Sequence, residues 1–251
     1  MLVLLPPSET KWAGPRRGTP VHLDALTFPG LTAAREQVLD ALAEVSARPD
    51  APELLGTGPS LADVVAANTS VRTRPAARAA HVYTGVLYDA LDLPALPAAA
   101  ARKVLVVSAL WGALAPRDRV PGYRLSMGTD LPGVGPLAAF WRPHLAAALA
   151  PQGLVVDCRS AAYAAAWVPG PDTAARTVAV RVLSGGKVVS HAAKHTRGLV
   201  ARHLLTRPDR SPRTPQTLLA AVRESFEAEL LAPARRGAVW TLQVGAPAGR
   251  A

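Results

Sequence analysis

Three stretches dominated by apolar residues are each followed directly by a polar loop. They are Leu2–Leu5, Lys103–Ser108 and Leu154–Asp157. An uninterrupted apolar run of this length is typical of a strand buried on both faces of a sheet. Because open α/β sheets usually hold their ligands where strands end, residues 6–11, 108–128 and 157–163 are predicted to line a cleft.

The rest of the chain shows helical spacing of apolar residues, separated by loops rich in Gly, Pro and polar residues. Thr32 is the expected N-cap of the first helix. The turn Ser184-Gly185-Gly186 between two strand-like runs predicts a hairpin. The predicted helices are 31–47, Leu61–Ala67, Phe140–Ala150, Lys194–Leu205 and Pro215–Leu231; the predicted strands are Arg176–Val182, Lys187–Ser190 and Val239–Val244; the loops are Pro6–Pro20, Arg48–Pro59 and Trp111–Gly128.

Strands and helices alternate without an internal repeat or a low-complexity linker. This order favours one mixed α/β domain over residues 1–251, with a central mixed sheet flanked by helices. With 251 residues, 49% of them hydrophobic, the chain can bury a real core, which excludes disorder as its overall state.

The single cysteine and the first residues indicate the cellular compartment of the protein. Cys158 alone cannot form an intrachain disulfide or a thiolate metal cluster, and a reducing environment is expected. The opening MLVLLPP is too short an apolar run for a signal peptide or a membrane span. We therefore expect a cytoplasmic protein without a membrane partner.

The net charge of +10 favours polyanionic partners, but much of it can reflect codon bias. Only four of the 28 basic residues are lysines, as a GC-rich genome would produce. Residues 191–251 carry ten basic and four acidic residues, an excess of six. The last quarter of the chain therefore holds most of the surplus positive charge.

Known catalytic signatures are absent from the sequence. It has no G-x-S-x-G elbow, Walker A loop, G-x-G-x-x-G after a strand, or H-E-x-x-H. His191 and His195 are four apart but straddle a strand-to-helix transition, and no cysteine or carboxylate supports them as metal ligands. The sequence predicts no metal site and no cofactor, and it supports direct iron sequestration only weakly.

One glycine-rich segment has a form suited to phosphate. Residues Leu131 to Ala139, LPGVGPLAA, are similar to the hairpin of a helix-hairpin-helix element, in which glycines let backbone amides approach DNA. Pro136 removes one of those donors. The segment is either such a hairpin or a lookalike.

Six further stretches, in this order and spacing, resemble the YaaA family of peroxide stress proteins over essentially the whole chain. Tyr-Arg-Leu-x-Met-Gly at 123–128 and Ala-Lys-x-x-Arg-Gly at 193–198 are the most specific. The opening motif departs from the better-known branch by placing an acid, Glu9, before Lys11. The stretches are PPSETK at 6–11, YTG at 83–85, SALWGALAPRD at 108–118, PGYRLSMG at 121–128, DCRSAAY at 157–163 and AKHTRG at 193–198.

The resemblance implies a single α/β domain of unusual topology with a positively charged cleft. It also implies DNA binding, a helix-hairpin-helix-like element, and a role in limiting iron-dependent oxidative damage during peroxide stress. In this family the hairpin is expected near Tyr83–Gly85 or Leu110–Pro116, which would make the Leu131–Ala139 segment a lookalike.

The motifs concentrate cations and aromatic rings that suit a nucleic acid or a small anion. Lysine at two motif positions of an arginine-rich chain suits a compact phosphate contact or a lowered pKa. Arginines could follow a phosphate backbone, and tyrosines could stack on unpaired bases. The candidate binding residues are Lys11, Tyr83, Arg117, Tyr123, Arg124, Arg159, Lys194 and Arg197.

Carboxylates at the same strand exits complicate a purely DNA-binding interpretation. Acids hold phosphate poorly but orient lysine and arginine well and can act in acid-base catalysis. Glu9, Lys11, Asp157 and Lys194 are therefore candidate catalytic residues for an enzyme acting on a nucleotide or another small anion. The two hypotheses, DNA-binding protein and enzyme, both remain open, and the oligomeric state is not predicted.

Overall fold

A computed structural model describes residues 1–183 and 190–245. Its main feature is a seven-stranded sheet in the order β10-β11-β9-β8-β1-β3-β4. Neighbouring strands from β11 to β3 run parallel, and β10 and β4 pair antiparallel at the two edges. The sheet strands are β1 Leu2–Leu5, β3 Val104–Ser108, β4 Gly112–Leu114, β8 Val155–Asp157, β9 Thr177–Leu183, β10 Ala228–Leu231 and β11 Trp240–Gly245.

Two short ribbons and a set of helices complete the described part of the chain. β2 Ala77–Arg78 pairs with β5 Arg119–Val120, and β6 Asp130–Leu131 pairs with β7 Gly135–Pro136. The helices are α1 Thr32–Ser46, α2 Ala51–Leu54, α3 Ala62–Ala66, α4 Ala79–Val82, α5 Val86–Leu91, α6 Ala98–Ala101, α7 Leu137–Ala148, α8 Ala161–Ala164, α9 Pro171–Ala174, α10 Ser190–Thr206 and α11 Pro215–Arg223, with 3-10 turns at Leu23–Ala25, Pro29–Leu31, Pro59–Leu61, Ala67–Ser70 and Leu93–Ala95.

The core surrounds the central parallel strands, as their apolar runs predict. Val3, Leu4 and Leu5 of β1 are completely buried. Strands covered on both faces cannot alternate apolar with polar residues, which is why these runs are continuous. The mixed α/β prediction is confirmed, and the three predicted central strands lie within a residue of their expected positions.

Several local predictions are wrong. The predicted helix Pro215–Leu231 ends at Arg223, and Ala228–Leu231 is instead the edge strand β10, with alternating exposure. The predicted loop Trp111–Gly128 contains β4 and β5, and the predicted loop Arg48–Pro59 contains α2. These elements are two to four residues long, too short for a period to stand out from the surrounding polar and small residues.

Helix and hairpin boundaries also differ. Thr32 is the first residue of α1 and not its N-cap, because a 3-10 turn precedes the helix. The buried hydroxyl of Thr32 has no hydrogen-bond partner among the described residues. The strand predicted at Arg176–Val182 is confirmed as β9. Its predicted hairpin partner lies almost wholly outside the described residues, and Ser190 begins α10.

Candidate anion-binding site at the carboxyl end of the sheet

The loops that follow β1, β3 and β8 all begin at the carboxyl end of the sheet, because the three strands are parallel neighbours. Lys11 of the first loop forms an isolated β-bridge with Tyr83, and the backbone N–H of Trp12 donates to the carbonyl of Val82 at 2.9 Å. These bonds fix the first loop against the C-terminal end of α4. The backbone therefore sets the position of Lys11.

The ammonium group of Lys11 lies between carbonyl groups and aromatic rings. Its Nζ donates to the carbonyl of Ser8 at 2.7 Å and lies 4.3 Å from the centre of the Tyr123 ring. The ring of Tyr83 is 5.9 Å away. Burial, reinforced by the charge of Arg124 and partly offset by Glu9, lowers the pKa of Lys11 to about 7. Near neutral pH this amine can bind or release a proton.

Beneath Lys11, a chain of hydroxyl groups connects the end of β3 to the two tyrosines. Ser108 Oγ accepts from the backbone N–H groups of Leu110 and Trp111, at 3.2 and 3.0 Å, and lies 2.7 Å from the hydroxyl of Tyr123. Tyr123 is in turn 3.4 Å from the hydroxyl of Tyr83. Burial raises the pKa of both tyrosines, so both stay neutral.

Glu9 lies between two cations of the site, Arg124 and Lys194. Its carboxylate is 3.5 Å from Nζ of Lys194 and 3.8 Å from the guanidinium of Arg124. Arg124 also donates to the backbone carbonyl of Glu9 at 3.0 Å. Glu9 is 73% and Lys194 48% exposed, so solvent screens the carboxylate's contacts with both cations. An incoming anion can compete with this carboxylate.

A close helix crossing brings Lys194 to the site. Helix α10 packs on α5, and a Cβ atom added at Gly198 would come within 2.8 Å of Ala90 Cβ. Only glycine allows this approach, which explains the glycine of the Ala-Lys-x-x-Arg-Gly motif. The turn between α4 and α5 also favours glycine, since Gly85 has φ +89° and a Cβ atom there would lie 3.1 Å from Thr10 Oγ1.

Asp157 and Arg159, both predicted as site residues, instead form a closed pair inside the protein. Arg159 Nε and Nη2 donate to the two Asp157 oxygens at 2.8 and 2.7 Å, and the guanidinium also donates to the carbonyls of Tyr163 and Trp167. The side chain of Arg159 is 1% exposed. The structure gives this pair a structural role in joining β8 to the loop that follows it.

Arg197 and Cys158 lie beside this pair. Arg197 is half-buried and donates through Nε to the carbonyl of Val180 at 3.2 Å. Cys158 is fully buried, and burial raises the pKa of its thiol to about 12. A buried, protonated thiol is a poor nucleophile.

Arg117 does not join the other predicted cations. Strand β4 runs antiparallel to β3 and carries the chain back along the sheet, so Arg117 lies beside Val104 and Leu105 at the amino end of β3. Ser108, at the carboxyl end, is four residues further on, or about 13 Å. The predicted binding residues are therefore divided between opposite ends of the sheet.

Two features of the site were not predicted. Trp12 follows Lys11 and is 45% exposed, unusually high for a large aromatic side chain. A cavity of about 370 Å³ is lined by Glu9, Lys11, Tyr123 and Arg124, together with Arg74 and residues of α3. An exposed tryptophan beside a motif lysine is a usable signal, whereas the contribution of α3 depends on tertiary packing.

Neither a metal centre nor a membrane span emerges from residues 1–183 and 190–245. No three or more His, Cys, Asp or Glu side chains gather there in a group that could hold a metal ion. No helix in those ranges is both long and apolar enough to cross a membrane.

Comparison with known proteins agrees with the motifs that form this site. A family model described as "Peroxide stress protein YaaA" matches residues 1–229. The chain belongs to the YaaA family of peroxide stress proteins. Among its relatives, the UPF0246 protein SCO2297 of Streptomyces coelicolor is 51% identical, covering 97% of this chain and 98% of its own length. The UPF0246 protein CE1889 of Corynebacterium efficiens is 40% identical, over 97% and 95%.

The glycine-rich segment Leu131–Ala139 differs from a helix-hairpin-helix element in this YaaA family member. It forms the β6–β7 hairpin and the start of α7, with Gly133 and Gly135 at φ +84° and +88°. Strand β5 and a loop precede it in residues 119–129, so a helix flanks it on one side only. The turn Tyr83–Gly85, by contrast, connects the short helices α4 and α5.

Proposed function

We propose that this protein binds DNA, largely without sequence preference, through the surface formed by Glu9, Lys11, Arg124 and Lys194. By covering DNA it would help limit iron-dependent oxidative damage during peroxide stress. The observation that carries the proposal is the convergence of three cations from three distant parts of the chain on Glu9: Arg124 and Lys194 lie at its exposed carboxylate, and Lys11 lies at its backbone carbonyl. Phosphate groups can replace that carboxylate as their partner.

The surroundings of these cations also suit DNA. Arg197 and Arg74 flank the same end of the sheet and extend the positive surface. Trp12 offers an exposed ring on which an unpaired base could stack, with a contribution of about 1–3 kcal/mol. This arrangement favours distorted or partly single-stranded DNA over regular duplex.

We assign the family's expected hairpin element to α4, Tyr83–Gly85 and α5. The turn lies against the Lys11 loop, and the backbone N–H of Thr84 donates to Ser8 Oγ at 3.1 Å. The element therefore belongs to the same surface as Lys11. Its proposed role is to hold that loop in place beside the DNA.

The main test measures binding to a fluorescent duplex as a function of salt. Four phosphate contacts, from Lys11, Arg124, Lys194 and Arg197, predict a log-log slope of about −3.6. Replacing both Lys194 and Arg197 by alanine should make the slope less steep by about 1.8 and weaken binding to every sequence alike.

A matched control is Arg48→Ala, which removes an exposed arginine that pairs with Asp50 outside the site. If the proposed surface is correct, the salt slope of this variant should equal that of the unchanged protein. If DNA instead contacts Arg48, the slope should become less steep by about one unit. Absence of binding at low salt, or equal losses in the control and the double variant, would contradict the proposal.

A second candidate function is catalysis on a nucleotide or another small anion. It is favoured by the 370 Å³ cavity, a size typical of small-molecule sites. The Lys11 amine and the Ser108–Tyr123–Tyr83 hydroxyl chain could exchange protons with a bound ligand there.

Nucleotide titrations by calorimetry separate the two functions. A catalytic site predicts saturable nucleotide binding and turnover of the bound nucleotide, and the turnover should be lost in Tyr123→Phe, because the hydroxyl chain is then broken at its centre. A DNA-binding surface predicts that Tyr123→Phe leaves DNA affinity within about twofold, since the phenol makes no phosphate contact. Absence of saturable nucleotide binding would rule out the catalytic site, and unchanged turnover in Tyr123→Phe would rule out the proposed proton chain.

A further inference from the structure

A second cavity, of about 450 Å³, lies at the amino end of β3, away from the Lys11 surface. It is bounded by β3, α6, the 3-10 turn Leu93–Ala95 and the chain that follows β4. None of its lining residues is shared with the cavity beside Lys11. It is a separate feature of the fold.

Among the described residues, arginines and no carboxylates line this cavity. Arg78, Arg102 and Arg117 come from three segments of the chain, and all three are exposed. None of them forms a side-chain hydrogen bond or ion pair with another residue in the described ranges, and no Asp or Glu lines the cavity. His81 adds a fourth basic side chain at the rim.

The closest acid in sequence, Asp118, does not neutralise these arginines through hydrogen bonds. One of its oxygens accepts from the backbone and hydroxyl of Thr27, at 3.1 and 2.8 Å. The other accepts from the backbone N–H of Ala115 at 2.8 Å. Asp118 is 4% exposed and holds the loop under the cavity in place.

The floor of the cavity is apolar. Leu93, Leu96, Leu105, Ala115 and Pro116 contribute to it, all buried or half-buried. Thr27 is its main uncharged polar residue, and its N–H and hydroxyl are both used by Asp118. Such a floor offers little hydrogen bonding to a nucleobase, but it suits a hydrocarbon chain or ring.

We propose that this cavity binds a small organic anion, whose apolar body lies on the leucine floor and whose carboxylate or phosphate group meets Arg78, Arg102 and Arg117. Arginine suits such head groups because its planar guanidinium can donate two parallel hydrogen bonds. The volume lies within the range of about 300–1,000 Å³ that is usual for small-molecule sites. Binding here would be separate from contact with DNA.

The first experiment titrates the full chain with octanoate and with octyl phosphate by calorimetry. Saturable binding of either anion is expected, and comparison of the two identifies the preferred head group. Octyltrimethylammonium, which has the same chain and the opposite charge, should not bind. Equal binding of the cation, or no saturable binding of either anion in the millimolar range, would overturn the proposal.

The second experiment uses variants at the rim and in the wall. Ala98→Glu places an acid in the cavity at an exposed first position of α6, where a carboxylate is compatible with the helix. It should weaken octanoate binding about tenfold, as should each of Arg102→Ala and Arg117→Ala. Arg210→Ala, an exposed arginine outside the cavity, should have no effect.

DNA affinity in the same variants decides which surface the arginines serve. We expect Ala98→Glu and Arg102→Ala to bind the duplex as the unchanged protein does. If they lose DNA affinity while octanoate binding is unchanged, the arginines belong to a DNA-binding surface and the proposal is wrong.

Discussion

Two acid–base groups follow neighbouring strands of this sheet, and they differ in almost every physical respect. Asp157 and Arg159, at the end of β8, are nearly inaccessible, and the guanidinium donates to two carboxylate oxygens and two carbonyls. Glu9 after β1 is exposed and lies 3.5 and 3.8 Å from its two cations. The first group is buried and its charges are paired within the protein, while the second is accessible to solvent.

Sequence position alone does not separate the two groups, because both occupy polar loops at strand exits. Accessibility and distance do separate them. A guanidinium that has found all its acceptors inside the protein gains little from an external phosphate. Cations that share one solvated carboxylate give up little when a phosphate replaces it, so we expect ligand binding at Glu9 and stability at Asp157.

The largest expected effect is on stability, at the closed pair. Arg159→Ala leaves the buried Asp157 carboxylate without its partner, which should lower the free energy of unfolding by about 3–5 kcal/mol. Urea denaturation followed by circular dichroism measures this change. The loss of stability arises because the Asp157 carboxylate stays buried without a partner, and it does not depend on a DNA contact.

Lys194→Ala is the matched control at the open group. Its partner Glu9 is 73% exposed, so the free energy of unfolding should change by no more than about 1 kcal/mol. Equal destabilisation by the two variants would remove the distinction between a structural and a binding pair.

The sequence could predict the central strands but not which of the two charged groups is buried and which is exposed. Continuous apolar runs located β1, β3 and β8, because strands buried on both faces leave no other pattern. Asp157 and Arg159 read as available charges, since nothing in the local sequence shows that Trp167 and Tyr163 close over them. Their burial depends on contacts formed by tertiary packing.

Arg117 and Arg124 illustrate the same limit within one loop. Both belong to residues 108–128 and carry the same charge, yet the short antiparallel strand β4 places Arg117 at the opposite end of β3. The three residues Gly112 to Leu114 are too few to give a clear strand signal. Without β4, the sequence places Arg117 and Arg124 on the same positive surface.

The next expected effect is a dependence of DNA binding on pH. A phosphate beside Lys11 favours the charged amine, whose pKa in the free protein is about 7. DNA affinity should therefore fall as pH rises from 6 to 8, by about fivefold if binding raises this pKa by one unit. Anisotropy titrations at constant ionic strength measure the change.

Lys11→Arg keeps the positive charge but does not titrate in this range, so its DNA affinity should be flat between pH 6 and 8. A pH dependence that persists in Lys11→Arg would assign the proton to another group. His195, one residue from Lys194 and exposed, is the group to replace next.

The smallest expected effect is a gain. Glu9→Gln removes the carboxylate that competes with phosphate for Arg124 and Lys194 while keeping nearly the same shape, so DNA affinity should rise about two- to fivefold at low salt. The gain should shrink as salt increases, because exposed charges are screened. If Glu9 instead holds the cations in a geometry that DNA requires, the same variant would bind DNA more weakly. The sign of this one change therefore tests whether the open carboxylate competes with phosphate for the cations or positions them to bind it.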